Sequence, residues 1–168
     1  MHKKLTGEQV LALYNALGAM EGRNAFDEDG KAVFIPYKLG MMVRLHCALN
    51  REALKKDAVA IIESIDGKIR ELSGGKEEIP ETVIDASGQV IPNPALVTFN
   101  KERKQLLALE YDAVLKDVNV DQFNLDQNEG LTIQMVGALL PMITQESIQQ
   151  LEAATESNEP TTEQQGES

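Results

Sequence analysis

Side chains that coordinate metals or act as nucleophiles are few in this sequence. The chain of 168 residues contains one cysteine, Cys47, and two histidines, His2 and His46. His46 and Cys47 are adjacent, so on a helix their side chains point about 100° apart and form no ligand pair without help from elsewhere. No CxxC or HxxxH spacing occurs. We therefore expect neither a metal site nor a cofactor, and we interpret Cys47 as a buried thiol.

Two acidic runs contain the oxygen ligands that a calcium-binding loop needs. In the run around Asp27, "DEDG", the position that should carry the bidentate glutamate is Pro36. In "DQFNLDQNEG", counted from Asn124, the corresponding residue is Met135 and the required glycine is displaced. Turn-forming, solvated carboxylates explain both runs.

The sequence also lacks the signatures of phosphate binding and hydrolysis. "LSGGKEE" has neither the earlier glycine nor the following Ser or Thr of a phosphate-binding loop, and no nucleophile elbow or HExxH occurs. Glu77 and Glu78 lie in a polar loop, where nothing would tune them for general acid catalysis. We therefore expect that the protein is not an enzyme. A pocket that gathered His46 with two or more carboxylates would reopen that question.

Charge is distributed very unevenly along the chain. The net charge is −11, yet residues 1–116 hold all 16 Lys and Arg and 17 of the 27 Asp and Glu. Residues 117–168 therefore carry the remaining ten acidic residues and no Lys or Arg. The body is nearly neutral and the last third is acidic.

Nucleic-acid binding is disfavoured by the way the cations are arranged. They are interleaved with acidic residues and lack neighbouring aromatic side chains for base stacking. Solvated helix faces explain them better. The cations in question are Arg51, Lys55 and Lys56 in one helical segment and Lys101, Arg103 and Lys104 in another.

Helical periodicity predicts three main helices. The first spans about 6–20, where Thr6 and Gln9 have capping-box spacing. The second covers about 37–72, follows Pro36 and ends at a Gly-Gly pair, and would be roughly 50 Å long. The third covers about 94–116. Between the first two, residues 27–30 form a turn that belongs either to a small hairpin or to a loop.

The remaining segments have weaker patterns. Residues 83–91 place "DASG" between two β-prone pairs and predict a β-hairpin. Residues 118–123 alternate as a strand that could pair with that hairpin. Residues 131–143 predict a short apolar helix or turn, and beyond residue 154 the polar composition predicts disorder.

Together these elements predict an α+β fold that is mainly α. It would consist of a long antiparallel helical hairpin, a small β-hairpin or sheet element, and a disordered acidic C-terminal tail. We expect one domain over residues 1–144 and a mostly disordered tail over 145–168. The amino terminus has no apolar run behind its lysines, and no membrane span is expected.

Aliphatic residues recur at intervals of three and four along the long helix and predict a contact stripe. If the other segments of the chain leave part of that stripe uncovered, a second copy or another protein must cover it. The alternative is a compact domain with no stripe left over. The predicted contact residues are Leu54, Ile61, Ile65 and Ile69, with Leu106 and Leu109 as their partners within the chain.

The order of elements resembles that of small, uncharacterised proteins encoded in tailed-bacteriophage genomes. The segments that carry the resemblance are "LTGEQVLALYNAL", "FIPYKLGMMVRLHCALNREALKKDAVAIIESIDGKI", "FNKERKQLLALEYDAVLKDVNVDQF" and "VGALLPMI", so it spans residues 5–143. The family has no catalytic residues to transfer. The resemblance implies a phage accessory protein that acts in the cytoplasm of the bacterial host or in the virion.

Two functional hypotheses follow. The first is a non-enzymatic accessory protein that binds a partner protein or a second copy of itself, in assembly or in the virion. The second is an inhibitor that offers its acidic third to a host nucleic-acid enzyme or defence protein. Against the second, six of the ten acidic residues fall from Glu146 onward, in the segment that we expect to be disordered.

Overall fold

The computed structural model describes residues 1–128 and 130–149, and the fold is α+β. The α-helices with described bounds are α1 (Gly7–Ala19), α2 (Met41–Ser73), α3 (Pro94–Leu107) and α4 (Ile133–Leu139). The strands are β1 (His2–Thr6), β2 (Gly22–Phe26), β3 (Ala32–Pro36), β4 (Thr82–Ile84), β5 (Val90–Pro92) and β6 (Glu110–Val114). Short 3-10 helices cover Val120–Phe123, Leu125–Gln127 and Leu140–Met142.

The described strands form three separate two-stranded antiparallel sheets, β1–β6, β2–β3 and β4–β5. The last two are hairpins that close on the same turn chemistry. Asp27 Oδ1 accepts the Lys31 N–H at 2.8 Å, and Asp85 Oδ1 accepts the Gln89 N–H at 2.9 Å. The β4–β5 hairpin is therefore confirmed, and the turn at residues 27–30 belongs to a hairpin rather than to a loop.

Helix α1 begins with the predicted capping box. The Thr6 hydroxyl accepts the Gln9 N–H at 3.3 Å, and the Gln9 side chain accepts the Thr6 N–H at 2.9 Å. The Gly7 N–H also donates to the Leu109 carbonyl at 2.9 Å. The start of α1 is thus attached to the segment between α3 and β6.

The long helix α2 is continuous over 33 residues. It ends where the sequence predicts, because Gly74 adopts a left-handed conformation with φ of 72°. Its start is four residues later than expected, at Met41. The intervening residues are held by the Arg44 guanidinium, which donates to the carbonyls of Tyr37 at 2.6 Å and Leu39 at 3.2 Å.

The predicted third helix, 94–116, is too long. Helix α3 ends at Leu107, and residues 110–114 form β6 instead, with Leu5 opposite Tyr111 and Lys3 opposite Ala113. The helical pattern is overridden because pairing with β1 buries Leu5 and Ala113. The sequence patterns predict no element over residues 2–5, so sequence reasoning missed β1.

The strand predicted over 118–123 is also wrong. Val118 makes only an isolated parallel bridge to Ile143, and residues 120–123 form a 3-10 helix. The apolar side chains of the segment are nevertheless inside, with Val118 1% and Phe123 0% exposed. The pattern located core residues correctly but assigned the wrong backbone conformation to them.

The core lies between α1, the N-terminal half of α2 and the segments that follow β6. The predicted long helical hairpin is not confirmed, because α1 is the main partner of α2 and α3 ends at Leu107, where it contacts only the C-terminal part of α2. The fully buried core side chains include Val10, Leu13, Leu54, Ile61, Leu115, Phe123, Leu139, Met142 and Ile143.

Residues 62–112 form a thinner region with no side chain in the buried hydrophobic core. Helix α3 contains no buried residue, and α2 contains none after Ile61. An ion pair joins the two helices here, with Lys68 Nζ 3.0 Å from Glu102 Oε2 and 3.2 Å from Glu71 Oε1. The hydrogen bond to Glu102 raises the pKa of Lys68 most, and the hydrogen bond to Glu71 raises it further.

The packed body extends beyond the predicted boundary at residue 144. Ser147 is 4% exposed and its hydroxyl accepts the Val120 N–H at 3.4 Å, while Ile148 packs against the core. The part of the predicted acidic tail beyond Gln149 lies outside the described residues. Among the described helices, none combines the length and the apolar composition that crossing a membrane requires.

Candidate protein-binding site

An open groove of about 540 Å³ lies between α1, the β2–β3 hairpin and the N-terminal half of α2. Its volume is within the range of ordinary ligand sites. Apolar side chains and charged side chains share its surface. The apolar ones are Leu17, Met20, Phe34, Pro36, Leu39, Cys47 and Ala48, and the polar ones are Tyr14, Glu21, Arg44, Arg51, Glu52 and Lys55.

The hairpin wall of the groove depends on Gly22, which lies directly after α1. A Cβ at this position would be 2.6 Å from Phe34 Cζ and would collide with the Ile35 carbonyl oxygen. The Phe34 ring therefore lies against bare backbone and extends beside the groove, where it remains 57% exposed. This packing of an aromatic ring over a strand glycine is a known way of stabilising a hairpin.

Two arginines of α2 lie along the groove, and each is held in place. Arg44 is anchored by its bonds to the two carbonyls before α2. The Arg51 guanidinium lies over the Tyr14 ring, 5.1 Å from its centroid. Gly18 leaves room for that arrangement, since a Cβ there would be 3.2 Å from Arg51 Nη2.

The charges of the groove are only partly compensated within the described residues. Lys55 Nζ lies 3.5 Å from Glu52 Oε2. Neither Arg44 nor Arg51 forms an ion pair with a carboxylate of the residues that the structure describes. A carboxylate that reached the groove would therefore meet two guanidinium groups with unused donors.

Cys47 lies at the floor of the groove and is 5% exposed. Burial raises the pKa of its thiol from 9.0 to about 11. The thiolate is the reactive form of cysteine, so this thiol is a poor nucleophile at neutral pH. Cys47 therefore contributes apolar surface rather than covalent chemistry, in agreement with its interpretation as a buried thiol.

The raised pKa predicts a specific loss of stability at alkaline pH. The folded chain holds the Cys47 proton more tightly than the unfolded chain. The contribution of Cys47 to the free energy of unfolding is therefore complete below pH 9.0 and is lost as the pH rises toward about 11. We expect the free energy of unfolding of the native protein, relative to Cys47→Ala, to fall by about 2 kcal/mol between pH 8.5 and 10.5. Urea unfolding at both pH values measures this, and equal falls in the two proteins would contradict it.

A second feature borders the groove and is called here the outer apolar surface. It consists of exposed apolar side chains on the hairpin and on the first turns of α2. Leu45 lies seven residues before the groove residue Glu52, so the two lie on nearly the same line along the helix. Its members are Phe26 (79% exposed), Met41 (85%), Met42, Leu45 and Leu49. Phe26 lies on the same face of the hairpin as Phe34, whereas the exposed Val33 and Ile35 lie on the opposite face and are not part of this surface.

The six contact residues predicted from the sequence do not form one surface. Leu54 and Ile61 are 0% and 1% exposed and belong to the chain's own core, so the prediction that they contact a partner is wrong. Ile65, Ile69 and Leu106 are half-buried where α2 and α3 meet. Leu109 is 55% exposed in the turn before β6 and is not the partner of α2 that we expected.

Sequence reasoning missed the two surfaces described above. The signal for the hairpin part was present, because "AFDEDGKAVFI" has six apolar residues, two of them phenylalanines, on either side of a turn. The signal for the α2 part was the second apolar row at Met42, Leu45 and Leu49. These residues lie on a different side of the helix from Leu54, so they do not belong to the predicted contact stripe.

The other chemistry-bearing residue, His46, has a structural environment. Its Nδ1 lies 2.9 Å from the Asp117 carbonyl oxygen. Within the described residues, no group of three or more His, Cys, Asp or Glu side chains is arranged to hold a metal ion. The groove is lined by two carboxylates, Glu21 and Glu52, but His46 is not among its residues.

The fold and its surfaces define an α+β protein that has an apolar groove with arginines at its edge and an adjoining apolar surface. No family model, no curated protein and no solved structure matches this chain. The resemblance to tailed-phage proteins therefore stays a prediction.

Proposed function

We propose that this protein works by binding another protein chain and carries out no reaction of its own. The observation that carries the proposal is the concentration of exposed apolar side chains in one part of the sequence. Eight of the eighteen large hydrophobic residues that are exposed among the described residues fall between Phe26 and Leu49. They comprise the outer apolar surface, Phe34 at the edge of the groove, and Val33 and Ile35 on the other face of the hairpin.

The free-energy cost of exposing apolar side chains to water supports this proposal. Apolar area contributes about 25 cal/mol per Å² when it is removed from water, so a surface of aromatic, Met and Leu side chains gains most by being covered. Such residues also dominate the centres of protein interfaces. A two-stranded hairpin is marginally stable by itself, and β2–β3 pairs with no further described strand. A partner would cover the side chains and supply backbone hydrogen bonds to the hairpin edge.

The resemblance to tailed-phage proteins supports an accessory role in assembly or in the virion. On that basis the protein acts in the bacterial host cytoplasm or in the particle, and its partner is a second copy of the chain or another protein of the same system. Nucleic acid is a poor candidate, because the cations are interleaved with acidic residues and the exposed apolar side chains fit a protein surface better.

The proposal predicts that charge on the outer apolar surface abolishes association. Leu45 and Leu49 are 47% and 45% exposed on the solvent side of α2, so Leu45→Glu with Leu49→Glu should leave the fold intact. We expect this double variant to lose either self-association, measured by light scattering across a range of concentrations, or capture of a defined bacterial or phage protein. Affinity should fall by at least about tenfold, because two charges would have to be buried at the interface.

Val97→Glu provides the matched control. Val97 is also an exposed apolar residue of a helix, 65% exposed on α3, but it lies outside the outer apolar surface. It should bind like the native protein. If native, double-variant and control proteins are all monomeric and capture the same proteins in equal amounts, the proposed function is wrong.

The second candidate function is an acidic inhibitor of a host nucleic-acid enzyme or defence protein. The net charge of −10 over residues 117–168, without a single Lys or Arg, favours it. Deleting residues 155–168 separates the two candidates. Loss of partner binding in the deleted protein would favour the inhibitor, whereas unchanged binding would favour the outer apolar surface.

A further inference from the structure

The groove has an apolar floor and a charged edge, a combination that is rare in binding sites for small inorganic anions. Its floor is apolar, with Leu17, Met20, Leu39 and Cys47 at most 8% exposed. Its edge carries guanidinium groups. A ligand that satisfies both must therefore bring a carboxylate and an aliphatic group at the same time.

Arg51 is the groove residue whose side chain is best ordered to bind a carboxylate. Its guanidinium is oriented by the Tyr14 ring at 5.1 Å and by the space that Gly18 leaves. A cation that is already ordered loses little conformational entropy on binding, and a guanidinium can bind a carboxylate through two parallel hydrogen bonds. Arg44 adds a second positive charge from a fixed position, because two backbone carbonyls hold its side chain.

The balance of charge at the groove also favours an anion. Of the five charged residues that line it, Lys55 and Glu52 compensate each other at 3.5 Å. The remaining three are Arg44, Arg51 and Glu21, which leaves one positive charge in excess. The excess is small, so it selects carboxylates without making the groove a site for polyanions such as nucleic acid.

The occupant is identified by the continuity of the groove with the outer apolar surface. Because the two meet along α2, a protein chain that covers Leu45 and Leu49 can extend into the groove without leaving the surface. A phosphate ligand would also bind guanidinium groups, but it would leave the apolar floor of the groove uncovered. A peptide with acidic and aliphatic side chains fits both surfaces.

We propose that the groove is a binding site for an acidic, leucine-containing peptide segment of the partner protein, with a carboxylate on Arg51 and an aliphatic side chain on the floor beside Cys47. This inference rests on the proposed function, since it identifies the chemistry of the partner that the protein binds. It assigns specificity to the groove and most of the contact area to the outer apolar surface.

The test uses the full chain and a fluorescent synthetic peptide of repeated Glu-Glu-Leu units, called the glutamate peptide. A control peptide has serine in place of each glutamate. We expect saturable binding of the glutamate peptide, weakened at least about tenfold by the serine replacement and weakened strongly by about 0.5 M salt. Amide shifts in two-dimensional NMR should change at Leu17, Phe34 and Ala48, which line the groove, and not at Val97.

Arg51→Met tests the contact itself, because it removes the charge and keeps a flexible side chain to cover Tyr14. We expect it to weaken binding of the glutamate peptide by about tenfold and to leave the serine peptide unaffected. Lys56→Gln is the matched control. It removes one charge from an exposed position of the same helix outside the groove and should change binding less than twofold.

The inference is overturned if the serine peptide binds as tightly as the glutamate peptide, if Arg51→Met and Lys56→Gln have equal effects, or if the amide shifts occur away from the groove. Its failure is distinguishable from failure of the proposed function. Loss of partner binding in the Leu45→Glu, Leu49→Glu protein, together with normal partner binding by Arg51→Met, would retain the proposed function and reject the groove as its specificity site.

Discussion

Asn50→Asp should destabilise the protein by about 3 kcal/mol at pH 7, although the two side chains have nearly the same shape. Asn50 is completely buried in α2, and its amide makes a two-way contact with the backbone of Lys116. Its Nδ2 donates to the Lys116 carbonyl at 2.9 Å, and its Oδ1 accepts the Lys116 N–H at 2.6 Å. A carboxylate keeps the second bond, loses the first, and buries a charge beside a carbonyl oxygen.

The pH dependence of this effect identifies its cause. At pH 4 the aspartate can take up a proton and donate to the Lys116 carbonyl, so the difference from the native protein should shrink as the pH falls from 7 to 4. Urea denaturation at both pH values measures it. Asn100→Asp, at an exposed position of α3, is the control and should change stability by less than about 0.5 kcal/mol. Equal effects of the two substitutions would contradict the role of Asn50.

Leu54→Ala should cost about 3 kcal/mol, whereas Ile69→Ala on the same helix should cost about 1 kcal/mol or less. Leu54 is 0% exposed in the core beneath α1, so its truncation leaves a cavity that the surrounding side chains fill incompletely. Ile69 is half-buried in the thinner region where α2 extends beyond Ile61. Solvent already reaches its surroundings, and no closed cavity results.

This pair of variants separates stability from binding among the residues that the sequence predicts as contacts. If Leu54 belongs to the core, Leu54→Ala lowers the midpoint of urea unfolding, and the fraction that remains folded binds its partner with native affinity. A Leu54→Ala protein of native stability that had lost its partner would contradict the structure. Comparable losses of stability at Leu54 and Ile69 would show that the core extends along all of α2.

The difference between core and thin region also bears on the proposed function. The core positions α1, the β2–β3 hairpin and the N-terminal half of α2, which together form the groove and the outer apolar surface. A preformed surface of this kind binds with little ordering cost. The region from 62 to 112 contributes no buried hydrophobic side chain and is not required to build that surface.

Local chemistry determined the features that the sequence predicts correctly. The capping box of Thr6 and Gln9, the left-handed Gly74 that ends α2, and the turns at Asp27 and Asp85 all depend on contacts within five residues. Each of these features has a local stereochemical cause, such as a side-chain oxygen that accepts a hydrogen bond or a glycine with positive φ. No distant residue has to be known to predict them.

Distant contacts decided the largest of the mispredictions. Residues 110–114 continue a helical pattern, but strand pairing with β1 more than a hundred residues earlier makes them β6. The same applies to the candidate site. Met42, Leu45 and Leu54 are all apolar residues of one helix, and only the packing of other segments against α2 makes Leu54 core and leaves the other two exposed.

By itself, the sequence determined that this is an α+β protein with a continuous long helix, correctly located turns and an acidic last third. Periodicity indicates that a helix has an apolar side. It does not indicate which neighbouring segment covers that side, or how much of the helix that segment covers. Only the tertiary structure decided that α1 covers α2 and that Arg51 lies over Tyr14 beside an open groove. Burial is a property of pairs of segments, and the pairing of segments is not encoded in the local pattern of either one.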